Sequence, residues 1–131
     1  MHNPPLCSCA AQVGGLDVSR LVLAGFSQGG ITALDTALSL PRGKTVAGVA
    51  VLSGAPIVIE QWSSRLSSVR KGLRVFVSHG QSDVVLPFVA SGWLKQLLEA
   101  GGARLEYVQH PGGHELGPGV LPKLVSWWSA L

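Results

Sequence analysis

Charge is scarce in this chain of 131 residues. Lys, Arg, Asp and Glu make up only 13% of it, against 47% hydrophobic residues, and the formal net charge is +3. The basic residues are scattered along the sequence. Without a Lys/Arg cluster interleaved with aromatics, nucleic-acid binding is not expected. Long hydrophobic runs are also missing. None approaches the ~18 residues of a membrane span, so no stable membrane insertion is expected. The N-terminus has no basic segment followed by an apolar one, and no signal peptide is read there. Cysteine is confined to Cys7 and Cys9. A Cys-x-Cys pair can join His2 around a metal, but no second ligand pair follows. The pair reads as part of a flexible reduced tail, with no metal and a cytoplasmic location by default.

Low charge with high apolar content suits a parallel sheet buried on both faces, and the length suits one domain with a modest core. Residues 1–15 hold Pro4, Pro5 and a Gly14-Gly15 pair without any sustained period, and read as an irregular N-terminal segment. Residues 16–131 read as the domain. Apolar runs predict strands at about 20–25, 46–52, 73–78 and 104–109. A helix follows Ser27, with Ile31, Leu34 and Leu38 on one face, and stops before Pro41. Within 57–69, Trp62, Leu66 and Val69 suit a short helix, against which Ser63, Ser64, Ser67 and Ser68 argue. Trp62 there either walls a pocket or packs a surface helix. A helix from Pro87 buries Phe88, Trp93, Leu94, Leu97 and Leu98, and ends at Gly101-Gly102. A last helix, from about Pro118, buries Val120, Leu121, Leu124, Val125 and Trp128. The alternation predicts an α/β fold with a parallel doubly wound sheet of about four strands. Its crossovers should be right-handed, and its ligand site should lie beyond the carboxyl ends of the strands.

Three of those strand ends carry chemistry. Gly25-Phe26-Ser27-Gln28-Gly29 lies between the first strand and its helix, the context of the nucleophile elbow of α/β-hydrolases. Asp83 follows the third strand and His114 the fourth. A serine hydroxyl needs a base to take its proton as it attacks. Histidine can do this and return the proton, and a carboxylate fixes its tautomer. The duller alternatives stay open: Asp83 as a turn or helix cap, His114 as a solvated loop residue. His79, also at a strand end, is the rival base, though its place before the acid's turn suits a structural role better. Asp35 lies inside a helix, Asp17 and His2 precede the first strand, and His110 ends a strand.

Together Gly25-Phe26-Ser27-Gln28-Gly29-Gly30, Ser53-Gly54, His79-Gly80-Gln81-Ser82-Asp83 with Val84, Val85 and Pro87, and Gly112-Gly113-His114-Glu115 resemble the phospholipase/carboxylesterase family of α/β-hydrolases. That family includes acyl-protein thioesterases and lysophospholipase-like esterases. The resemblance covers about residues 16–131. It implies Ser27 as nucleophile, Asp83 as acid and His114 as base. It also implies hydrolysis of carboxylic esters or thioesters through an acyl-enzyme, with no cofactor. The substrate would be a small-molecule ester or an acylated protein.

The family has an upstream half, with further strands and a His-Gly loop that gives one oxyanion-hole N–H. Here only the other donor, the backbone N–H of Gln28, carries over, and the chain resembles the C-terminal half of a family member. Three readings follow: a serine esterase or thioesterase, an impaired remnant acting as an interaction module, or a small-molecule binding module. The first strand, Leu21 to Gly25, then becomes an edge without charge or proline. At roughly 25 cal/mol per Å², several hundred exposed apolar Å² would cost on the order of 10 kcal/mol. Self-association through this edge, aggregation or only partial folding is therefore expected.

Overall fold

The apolar runs pair into one parallel sheet in a computed structural model that describes residues 17–68 and 70–131. Strands β1 (Val22–Phe26), β2 (Gly48–Leu52), β3 (Arg74–Gly80) and β4 (Arg104–His110) lie in the order β1-β2-β3-β4. The helices are α1 (Gln28–Leu38), α2 (Ile59–Ser68), α3 (Phe88–Ala100) and α4 (Val120–Ser129). Residues 1–16, which include His2, Cys7 and Cys9, and Val69 lie outside the described residues.

Register places the chemistry. Phe26 pairs with Leu52, Leu52 with Ser78, and Gly80 with His110. The carboxyl ends of all four strands therefore open onto one edge of the sheet, where an α/β fold puts its ligands.

β2 is buried along its whole length, which its unbroken apolar sequence requires. Period-2 alternation sends Val49, Val51, Val75 and Val77 to one face, under Leu34 and Leu38 of α1, Trp62 and Leu66 of α2, and Leu94 and Leu98 of α3. Ala50, Leu52, Phe76 and Val108 go to the other, under Val120, Leu124 and Trp127 of α4. Strands laid down in sequence order, with crossovers of one hand, put all three connecting helices on the same face. Among the described residues only α4 covers the opposite face.

The doubtful segment is α2. Trp62 is buried and donates its indole N–H to Asp35 Oδ1 of α1 at 2.9 Å. It belongs to the core and not to a pocket wall. Ser64, Ser67 and Ser68 are exposed, so the serines occupy the solvent face of an amphipathic helix. After α2, the buried Arg70 donates to the carbonyls of Ala37, Leu40 and Pro41, which satisfies the C-terminal turn of α1 and its exit.

Two expected stripes are corrected. In α4 the buried residues are Val120, Leu124 and Trp127, while Leu121, Val125 and Trp128 are 56%, 56% and 49% exposed. The helix carries two parallel apolar stripes about 100° apart, and a single sheet beneath it takes only one. In α3, Trp93 is 57% exposed and Phe88 half-buried, because α3 meets the sheet through Ala90, Leu94, Leu97 and Leu98. The first strand begins at Val22, since Val18–Arg20 form a 3-10 turn capped by the Asp17 carboxylate. β3 and β4 run one or two residues past their expected ends, to Gly80 and His110. Among the described residues β1 has no outer neighbour; Val22 and Leu23 are half-buried, and Ala24 and Phe26 exposed.

Trp62 and Asp35 contribute unequally to stability. Trp62→Ala is expected to cost about 3–5 kcal/mol, as for other large-to-small core changes. Asp35→Ala takes the acceptor from a part-buried hydrogen bond of the buried indole and should cost about 1–3 kcal/mol. Urea unfolding of the two variants checks this; equal losses would show that the indole bond, not the packing, holds α2.

Candidate active site

The turn after β1 is too tight for side chains on its inner side. A Cβ on Gly25 would fall 2.2 Å from the carbonyl carbon and oxygen of Gly29, and one on Gly30 would fall 2.8 Å from the Gly25 oxygen. Ser27 itself takes φ 58° and ψ −123°, a conformation that costs a residue with a Cβ. Its N–H still donates to Leu52 O at 2.7 Å, and its carbonyl accepts from Gly30 and Ile31. The strain is thus held by the end of the parallel ladder on one side and the first turn of α1 on the other. The side chain stands out at the sheet edge beside a helix N-terminus. Gln28 is the first residue of α1, so its backbone N–H has no acceptor within the helix.

Asp83 comes from the turn after β3 and is buried. Its Oδ1 accepts from the backbone N–H groups of Val85 at 2.9 Å and Leu86 at 2.8 Å, and its Oδ2 faces His114 Nδ1 at 2.8 Å. Burial pushes the carboxyl pKa up. The hydrogen bond to His114 and the two backbone donors outweigh that and leave it below the ordinary carboxylate value. An ionised carboxylate can only accept, so the proton between them belongs to Nδ1. That leaves the lone pair of Nε2 pointing at Ser27 Oγ, 2.9 Å away. The His114 ring leans on Phe26, with centroids 4.8 Å apart.

The structure therefore brings Ser27, His114 and Asp83 into one hydrogen-bonded row and keeps His79, His110, Asp35 and Asp17 out of it. His79 is fully buried; its Nε2 lies 2.7 Å from Leu86 O and 3.4 Å from Asp83 Oδ2. It closes the turn that carries the carboxylate. His110 is buried beneath the loop of His114, Asp35 holds Trp62, and Asp17 caps the 3-10 turn. Among the described residues no group of three or more His, Cys, Asp or Glu side chains could hold a metal ion. A cavity of about 430 Å³ lined by Arg74, Arg104 and Trp127 opens at the amino ends of β3 and β4, at the edge opposite Ser27.

Sequence reasoning named Ser53 and Glu115 among the motif residues but gave neither a role. Ser53, at the end of β2, repeats the positive φ of Ser27 at 58° and is fully buried, with its Oγ 3.4 Å from Glu115 O. Glu115 folds its carboxylate back onto the Gly113 N–H at 3.2 Å, bracing the residues on either side of His114. The Ser53-Gly54 pair after an apolar run is a visible signal of a strand-end turn. Nothing in the sequence shows which loop it braces.

Residues 9–127 match the Phospholipase/Carboxylesterase family. A probable carboxylesterase SOBER1-like protein of Arabidopsis thaliana is 31% identical over 115 residues, covering 87% of this chain and 43% of that protein. Acyl-protein thioesterase 1 of Mycosarcoma maydis is 39% identical over 69 residues, 53% of this chain and 28% of that protein. The crystal structure of Arabidopsis thaliana SOBER1 superposes with a TM-score of 0.79 at 28% identity, covering 95% of this chain and 59% of that one. Esterase PE8 gives 0.75 at 29% identity, with 95% and 56% covered. The chain thus spans less than half the length of the first curated relative. With the family's motifs, its four-stranded parallel sheet and its structural neighbours in agreement, this chain belongs to the phospholipase/carboxylesterase family of α/β-hydrolases.

Proposed function

We propose that this chain carries the reacting residues of a serine hydrolase that cleaves carboxylic esters or thioesters. The observation that supports this most is the unbroken row Ser27 Oγ–His114 Nε2–His114 Nδ1–Asp83 Oδ2, at 2.9 and 2.8 Å. In this reading Ser27 Oγ attacks the substrate carbonyl carbon while His114 Nε2 takes its proton. Asp83 stabilises the imidazolium that forms. The developing oxyanion lies against the Gln28 N–H and the positive end of α1. His114 then returns the proton to the departing alcohol or thiol, which leaves an acyl group on Ser27. Water, deprotonated by His114, attacks that ester and regenerates the serine. The chemistry uses no cofactor. Relatives named carboxylesterase and acyl-protein thioesterase favour an ester or an acylated protein as substrate.

Gln28 is one oxyanion donor, and loss of one donor from such a hole typically lowers the rate by about 10²–10³. For the chain to reach full rate, a second donor beside the Gln28 N–H is therefore needed. Its outer strand also bears on partners. β1 has exposed Ala24 and Phe26, no charge and no proline, and Trp128 and Leu131 of the C-terminal segment share a concavity with its Val22. Strand edges of this kind pair with other chains unless blunted, and self-association through β1 is proposed.

A p-nitrophenyl ester should give an initial burst of nitrophenol from the unaltered chain and none from Ser27→Ala. A burst that survives in Ser27→Ala would assign the nucleophile elsewhere.

Asp83 also links stability to pH. Its pKa is lowered on folding, so between the folded and unfolded values the unfolded chain binds more protons. The contribution is full above the unfolded value of about 3.9 and is lost as pH falls through the folded one. Urea midpoints from pH 5 down to pH 2 should fall less steeply for Asp83→Asn than for the unaltered chain. Parallel curves would mean that the carboxylate gains nothing on folding.

Light scattering on a size-exclusion column should show species larger than 13.6 kDa, the mass of one chain. A monodisperse monomer with a cooperative melt would show the β1 edge to be protected.

A further inference from the structure

Each of the two reacting loops leaves the sheet beside a buried histidine that the mechanism does not use. His79 is the last residue but one of β3, ahead of Asp83, and His110 ends β4 ahead of His114. His79 bonds Leu86 O through Nε2, which also lies 3.4 Å from Asp83 Oδ2. His110 is engaged more extensively.

His110 is only 3% exposed. Its Nδ1 accepts the backbone N–H of Gly112 at 3.1 Å. That bond puts the neutral ring's proton on Nε2, which is buried and has no hydrogen-bond partner among the described residues. Two glycines close on the same ring. A Cβ on Gly112 would lie 3.0 Å from Nδ1, and one on Gly117, where φ is +81°, would lie 2.3 Å from it. The segment from 110 to 117 is thus wound around the imidazole, with glycine where the winding is tightest. His114 lies midway along it.

The winding also ties the two loops together. His110 O accepts from Gln81 N at 2.8 Å, and Gly112 O accepts from Ser82 N at 3.0 Å. Ser82 Oγ donates to Pro111 O at 3.2 Å. Ser82 precedes Asp83. The atom that fixes Gly112 therefore fixes the spacing between the carboxylate and the imidazole it orients. A buried polar nitrogen left without a partner is unfavourable in a core, so the ring is not explained by packing alone.

We propose that His110 is a positioning residue: its Nδ1 sets the backbone of the loop that presents His114 to Asp83 and Ser27. This rests on the hydrolase reading above. The role needs an acceptor at the δ position. Asn places its Oδ1 the same number of bonds from the backbone, Gln places its oxygen one bond further out, and Phe has no acceptor.

The test combines two readouts on the full chain. The first is the second-order rate of Ser27 labelling by a fluorophosphonate. The second is the downfield proton resonance of His114 Nδ1–H on Asp83, which needs no turnover. His110→Asn should label within about 5-fold of the unaltered chain and keep the downfield proton. His110→Gln and His110→Phe should label about 10²-fold more slowly, the scale of a 1 Å misplacement, and lose that proton while circular dichroism stays native. A folded His110→Phe that labels at the unaltered rate and keeps the proton would overturn the proposal. Should the His110 variants not fold, Gly112→Ala carries the test, since its Cβ would fall 3.0 Å from His110 Nδ1 and 2.7 Å from Glu115 Oε1 and so must shift the backbone that donates to the ring. A labelling loss of about 10-fold or more is expected there, and an unchanged rate would overturn the proposal. If the unaltered chain does not label at all, the hydrolase reading fails. The downfield proton, retained in His110→Asn and lost in His110→Phe, would still support the positioning role, and its retention in both would contradict it.

Discussion

The Ser27 N–H donates to the Leu52 carbonyl at 2.7 Å, and at that bond the sheet becomes the site. It is the last rung between β1 and β2. It fixes the backbone of a residue whose φ of 58° would otherwise relax. Leu52 is itself paired with Ser78, and Gly80 with His110, so the same register carries across to the loops of Asp83 and His114. A slip of one residue in β2 would invert its side chains and move the elbow. The continuous apolar run of that strand does not by itself prevent a slip. The valines that interlock with three helices on one face do.

The strained serine is one half of the design, and a carboxylate with no freedom is the other. Each Asp83 oxygen is committed, one to two backbone donors and one to His114. A buried carboxylate without such partners would become protonated and could no longer hold an imidazole in one tautomer. Two similar histidines thus meet different fates within one site. His114 presents Nε2 to Ser27, whereas the Nε2 of His79 faces a backbone carbonyl and its ring is sealed from solvent. Position relative to the carboxylate, not residue type, separates them.

Much of this was legible in the sequence because it depends on local pattern. Apolar runs broken by turn residues gave the four strands, and Gly25 to Gly30 gave the elbow with its flanking elements. The order Ser27, Asp83, His114 along the chain matched the order of strand ends along the sheet edge. What stayed hidden depends on which surface meets which. Helix α4 offers two apolar stripes, and only the sheet decides that Trp127 is buried and Trp128 is not. Trp93 was misjudged for the same reason. The serines of α2 obscured a helix whose indole anchor, Asp35, lies 27 positions earlier in the chain. The role of His110 was invisible because it acts through backbone atoms of glycines, which leave no side-chain pattern to read.

The central claim is that the row of Ser27, His114 and Asp83 performs acyl transfer on Ser27. Peptide mapping by mass spectrometry after treatment with a fluorophosphonate tests it most directly. The account predicts one adduct per chain, on the peptide that contains Ser27, and none after His114→Ala. No adduct, or an adduct on another serine such as Ser53, would contradict it.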